Sequence, residues 1–195
     1  MRPKINSFLT LAAVALSLSS VACGQTARPR IGKSEAVKSV KVASLDGWKE
    51  AVSDEGRFRI LFHGEPVASH DPGGKGFEMK GDRVKWFALY YDYNNSFDDD
   101  DATLRQKYAE SVEALTKRGS KLLSRREVTL NGRPGVEFIL LGQAAAGQVA
   151  KSYMRAFQVG RRLYTLAVDD YKDVSESNAV PAEVQSYFDS FTFWE

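Results

Sequence analysis

The chain predicts a single α+β domain, and three observations carry that expectation. Segments with the two-residue alternation of strands recur from Phe58 to Val168. Only two stretches switch to the three-and-four spacing of a helix, one after the acidic run at Asp98 and one near the C-terminus. The strands between them form one uninterrupted run, which argues for strands and helices segregated in the fold and against a doubly wound parallel sheet.

Residues 1–22 read as a secretion signal: Arg2 and Lys4 form a short positive region, and Phe8 to Leu18 an apolar stretch too short to span a bilayer. Small residues at Ser20 and Ala22 suit cleavage before Cys23, the only cysteine in the chain. An exported protein normally pairs its thiols, so a single one calls for an explanation such as modification. Residues 23–46 have no aromatic residue and an excess of Arg and Lys, the composition of a flexible linker. The folded domain is expected over residues 47–195, roughly 150 residues and enough for a real core.

Within that domain each element has its own signal. In "RFRILFHG", Phe58, Ile60 and Phe62 alternate with Arg59 and Leu61, the pattern of a half-buried strand ended by Gly64 and Pro66. The glycine-rich "PGGKGFEMKGD" is expected to be a mobile hairpin tip; it lacks the Gly-Lys-Ser/Thr ending of a phosphate loop. "RVKWFALYYDY" is apolar on both faces and predicts a central strand. Leu104, Tyr108, Val112 and Leu115 line one face of a helix that Gly119 stops. "LLSRREVTL" and "GVEFILLG" flank Asn131-Gly132, a strong hairpin signal because both residues tolerate positive φ. "QVAKSYMRAFQVG" and "RRLYTLAV" then complete a four-strand antiparallel meander. Pro181 at the first helical position, with Val184, Tyr187, Phe188 and Phe191 on one side, predicts a final helix packed on the sheet.

The order of these parts, with "SDEGRFRILFHGEP", "VTLNGRPGVEF", "YMRAFQVGRRLYTLAV" and "YFDSFTF", resembles the small extracytoplasmic domains of the PsbP, Mog1, DcrB and LpqN type over about Trp48 to Trp194. His63 stands where bacterial relatives usually carry a turn proline. The resemblance implies a central antiparallel sheet with helices on both sides, an α/β/α sandwich, and a binding or assembly role. Ser-Val-Ala-Cys similarly resembles the bacterial lipobox, with Ser20 where leucine is preferred. That likeness implies acylation of Cys23 (palmitate among the chains) and a membrane anchor, and Gly24 after the cysteine implies the outer membrane.

Charge excludes one class of partner. The precursor carries 27 Lys+Arg against 25 Asp+Glu, and removing Arg2 and Lys4 leaves 25 against 25. A neutral mature chain gives no footprint for nucleic acid.

Candidate chemistry is sparse. His63 and His70, with Asp71 or Glu65, are the one histidine-containing cluster, but a zinc site wants three or four converging protein ligands and Pro66 breaks the strand between them. Asp98 to Asp101 would suit calcium, yet they stand just before a helix, where acids cap free N–H groups, and no glycine follows at the EF-hand spacing. No GxSxG motif is present. Trp86 and Tyr90 are expected in the core, leaving Tyr91 and Tyr93 on the opposite face as binding candidates. No catalytic residue, metal or cofactor is assigned. The expectation is a non-enzymatic, lipid-anchored cell-envelope protein that binds or scaffolds an unknown envelope partner; an exported ligand carrier or enzyme, periplasmic or secreted, is the alternative.

Overall fold

The computed structural model describes residues 47–69, 74–93, 100–117, 119–143 and 148–194. The predicted signal, Cys23, the linker to residue 46, His70, Asp71, Asp98 and Asp99 lie outside the described residues.

In chain order the elements are β1 (Lys49–Ser53), β2 (Phe58–Phe62), β3 (Val67–Ala68), β4 (Lys75–Gly81), β5 (Val84–Asp92), α1 (Asp101–Lys117), β6 (Lys121–Leu130), β7 (Arg133–Gln143), β8 (Val149–Val159), β9 (Arg162–Asp170), α2 (Ala182–Asp189) and β10 (Thr192–Phe193). Seven strands form one antiparallel sheet in the order β3-β4-β5-β9-β8-β7-β6. The remaining three form a small antiparallel sheet, β1-β2-β10.

The predicted meander β6 to β9 is present, and its turns follow the predicted chemistry. Asn131 and Gly132 take φ of 51° and 75°, the positive pair a two-residue hairpin needs to match strand twist. Between β8 and β9 Gly160 alone takes the left-handed conformation (φ 55°).

Alternation sends side chains of each strand to two different cores. On one face Phe87, Leu89, Val136, Phe138, Leu140, Met154 and Ala167 meet Leu104, Tyr108, Val112 and Leu115 of α1. On the other face Trp86, Tyr90, Ile139, Tyr153, Phe157, Tyr164 and Leu166 meet Phe58, Ile60 and Phe62 of β2, and Val184, Tyr187, Phe188, Phe191 and Phe193 from the C-terminal segment. The implied helix-covered sandwich is thus only partly present: α1 covers one face, but α2 shares the other with the small sheet. Phe58, Ile60 and Phe62 point inward as expected, from a strand that belongs to that second sheet and not to the main one.

Two further expectations are corrected. The glycine-rich segment is not a hairpin tip over Lys75–Gly81; that stretch is β4, paired along its length with β5. Gly76 makes the pairing possible, since at φ 148° a Cβ would lie 2.1 Å from the Ala88 carbonyl oxygen. Pro181 is also one residue outside α2, at its N-cap with ψ 145°, because an extended approach to the helix uses the fixed φ of proline equally well.

Candidate functional site

Tyr91 and Tyr93 come together at the C-terminal end of β5, their rings edge to face with centroids 5.1 Å apart. Tyr91 shares the α1 face with Phe87 and Leu89, because successive β5 residues alternate. Tyr93 is fixed to the β8–β9 turn: its N–H donates to the Arg161 carbonyl (2.8 Å) and Arg161 Nε donates to the Tyr93 carbonyl (2.9 Å). Burial, and then the neighbouring Tyr91, push the Tyr93 hydroxyl up to about 12. The pair is half-buried, an amphipathic surface in which the Tyr93 hydroxyl stays protonated at neutral pH.

On the other face of the same strand end, Arg162 gathers three elements. Its guanidinium donates through Nε and one amino group to both Asp92 oxygens at 2.7 Å, donates to the Glu55 carbonyl at 2.8 Å, and lies 4.6 Å from the centre of the Tyr90 ring. The Asp92 carboxylate holds the guanidinium charged more firmly than usual. The Tyr90 hydroxyl is buried without a hydrogen bond of normal length, although the Glu55 carboxylate faces it; burial first, and that carboxylate second, raise its pKa. Such bidentate, ring-stacked arginines position backbone; here Arg162 pins the β1–β2 turn to the main sheet.

The remaining predicted residues do not converge. His63 is half-exposed: its Nδ1 lies 2.6 Å from Glu183 Oε1, and its ring sits 5.4 Å from that of Trp48. Glu65 pairs instead with Lys49. Among the described residues no group of three His, Cys, Asp or Glu side chains is placed to hold a metal ion. Asp100 accepts from the Thr103 N–H at 2.8 Å, and that bond lowers its pKa; it is a helix cap, as the acidic run before α1 suggested.

Buried charges are the groups that sequence reasoning missed. Glu137, 3% exposed, accepts from Arg155 Nε (2.9 Å) and one Arg155 amino group (2.6 Å), and it also pairs with Arg126. Arg155 continues to Asp189 (3.1 Å) and lies 4.7 Å from the Phe188 ring centre, joining β7 and β8 to α2. Lys151 is fully buried and donates to Asp173 Oδ2 at 3.0 Å. Asp169 is buried on the α1 face, where it accepts from the Ser152 hydroxyl at 2.6 Å. Desolvation lifts its carboxyl to about 6, with the Ser152 bond and the Lys85 charge opposing. A signal for the first group was available. In "AKSYMRAF", Lys151 and Arg155 keep step at every second residue with Tyr153 and Phe157, and a charge on the buried register must find a partner inside.

With the geometry in hand, comparison with known proteins is informative about fold. Among solved structures, cyanobacterial PsbP (CyanoP) from Synechocystis sp. PCC 6803 superposes with a TM-score of 0.53 at 9% identity, covering 84% of this chain and 99% of that one. The fold is PsbP-like. The Saccharomyces cerevisiae Ran-binding protein Mog1p aligns with a TM-score of 0.48 at 12% identity, over 75% of this chain and 95% of that one. No family model and no curated protein matches the sequence. At 9% identity the likeness to CyanoP carries the sheet and helices, and no residue role.

Proposed function

We propose that this chain is an exported, lipid-anchored module of the cell envelope that binds or scaffolds other envelope components without catalysing a reaction. The observation that supports it most is how the domain spends its buried ionic groups. Arg155 and Glu137 tie α2 to the sheet, and Arg162 and Asp92 tie the β1–β2 turn to it. Groups used this way hold a rigid platform. The half-exposed Tyr91–Tyr93 pair at the rim of that platform has the composition of a contact surface, since tyrosines bury much area at small entropic cost. The anchor rests on Cys23 and the segment before it, and the partner is an envelope protein.

Two measurements test the two halves. The intact mass of membrane-extracted protein should begin at an acylated Cys23, and Cys23→Ser should move the protein to the soluble fraction; a mature chain starting elsewhere, or without acyl mass, removes the anchor. A photo-crosslinking residue at Tyr91 should trap a discrete envelope partner that the same residue at Gly132 does not. Identical adducts at both positions would show that the tyrosine pair is ordinary surface. A ligand carrier or enzyme is the second reading, favoured by Lys151 and Tyr153, which lie buried together on one strand.

A further inference from the structure

Lys151 and Tyr153 are two hydrogen-bond donors buried side by side beneath the segment that joins β9 to α2. Lys151 is 0% exposed; its ammonium donates to Asp173 Oδ2 at 3.0 Å and to the Ser175 hydroxyl at 3.5 Å, and lies 5.6 Å from the centre of the Tyr153 ring. Tyr153 is 1% exposed, and its hydroxyl closes no hydrogen bond among the described residues. The Asp173 carboxylate is the acceptor that faces that hydroxyl, beyond normal hydrogen-bond distance, and with Asp170 it adds to burial in raising the hydroxyl's pKa. It therefore stays protonated, a donor without an acceptor at normal distance, in surroundings where an unmade hydrogen bond is costly.

The roof over these donors is weakly attached. Residues 172–181 have no regular structure, and Val174 is 47% exposed. The start of this segment is held to the end of β9, where Asp170 Oδ1 accepts from the N–H groups of Lys172 and Asp173; beyond that its local bonds are internal, Asp173 Oδ1 accepting from Ser175 and Ser177 Oγ from Ala179. Besides Lys151, two surface pairs tie the strap to the sheet, Lys121 with Glu176 and Lys172 with Asp82 (3.2 Å), all four side chains more than half exposed, and Val180 packs against the core at its far end. Segments held by few apolar contacts open at low cost. Asp173 is 39% exposed, so a short outward movement places it in water.

We propose that Lys151 and Tyr153 form a binding site for a small carboxylate- or phosphate-bearing ligand, and that Asp173 occupies this site as an internal anion while the strap is closed. The ammonium supplies the charge and the phenol a second, directed donor, a combination that recognises an oxyanion. Asp173 already places one carboxylate oxygen on the ammonium, which marks the position a ligand oxygen takes. Two hydrogen bonds from Ser175, and then Lys151, hold the Asp173 carboxyl down to about 2, so it remains charged at neutral pH and competes with any ligand. This site stands independently of the lipid anchor and of Tyr91 and Tyr93.

The test is an NMR titration of the full chain with sodium acetate and with inorganic phosphate, each at constant ionic strength, following the amides of Lys151, Tyr153 and Ser175. An internal competitor lowers apparent affinity by the fraction of molecules that are open, so Asp173→Asn should bind at least one anion about tenfold more tightly than the wild type. Tyr153→Phe in the Asp173→Asn background should then lose most of that gain while remaining folded, because it removes only a hydroxyl that closes no hydrogen bond of normal length. Lys151→Met should abolish binding. Two results overturn the site. One is a folded Asp173→Asn protein that binds neither anion more tightly than the wild type. The other is binding that Tyr153→Phe leaves unchanged, which would locate the anion elsewhere.

Discussion

The two faces of the seven-stranded sheet are closed by different means. Toward α1 the contact is aliphatic in large part, and one helix next in sequence to β5 covers it. Toward α2 it is aromatic. Phe58 alone meets Phe77, Tyr90, Tyr164 and Phe191 at ring separations of 5.7–6.2 Å. The cover there comes from both ends of the folded domain, since β2 pairs with β10 across more than 130 residues. Polar tethers hold the two ends in place: Tyr164 donates to the Gly56 carbonyl at 2.9 Å, and the Leu61 N–H donates to the Ser190 hydroxyl at 3.0 Å. The α2 face therefore depends on non-local contacts that form only once the loops have closed, whereas the α1 face depends on a short-range helix.

The largest expected effect tests that contrast directly. Phe58→Ala, at a fully buried ring shared by four others, should lower the unfolding free energy by about 3–5 kcal/mol, and Leu115→Ala on α1 by about 2 kcal/mol because a helix at the margin of its cluster can shift to fill the space. Urea denaturation of both variants checks it; equal losses would mean that the two faces are packed alike.

A smaller effect concerns the buried carboxyl of the α1 face. Asp169 is lifted from 3.8 to about 6 by burial, a difference equivalent to about 3 kcal/mol. The sign follows from proton binding: between pH 3.8 and about 6 the folded state holds a proton that the unfolded state has released, so this group costs stability as pH rises through that window and the cost is full above it. Asp169→Asn keeps an acceptor for the Ser152 hydroxyl and removes the charge. It should be more stable than the wild type at pH 7.5, by about 2 kcal/mol, with the difference vanishing near pH 4. A constant difference at both pH values would show that the carboxylate is solvated after all. The α2 face offers the counter-case: there each buried charge has a close ion pair, Lys151 with Asp173 at 3.0 Å and Arg155 with Glu137 at 2.6 Å, whereas on Asp169 burial outweighs the opposing Lys85 charge.

What could be read from the sequence, and what could not, divides along the same line. The helix with Leu104, Tyr108, Val112 and Leu115, and the meander about Asn131-Gly132 and Gly160, were legible because periodicity and turn chemistry are local. The small sheet was not. β1 has five residues and β10 only two, and β10 reaches β2 across more than 130 residues. β4 was misread because Gly74, Gly76 and Gly81 look like loop punctuation, when Gly76 is required by its approach to the Ala88 carbonyl. Of the candidate residues, Tyr91 lies on the face opposite Trp86 and Tyr90, as alternation along β5 predicts, and Tyr93 follows the end of that strand. Lys151, Tyr153 and Asp173 were missed, because the strap that unites them is irregular and carries no pattern.

The smallest effect belongs to a position that touches neither face and so supplies the baseline for both. Gly132 takes φ 75° in the β6–β7 turn, and a Cβ added there would meet nothing within 4 Å. Any loss on substitution is therefore backbone strain and not packing. A β-branched residue held in this left-handed region costs about 1–2 kcal/mol, so Gly132→Val should lower the melting temperature by about 3–6 °C, well short of the loss for Phe58→Ala. A thermal melt monitored by circular dichroism decides it. An unchanged melt would mean that the turn relaxes to another geometry without disturbing the strands, and the register that β7 passes on to both cores would then be set by packing and not by Asn131-Gly132.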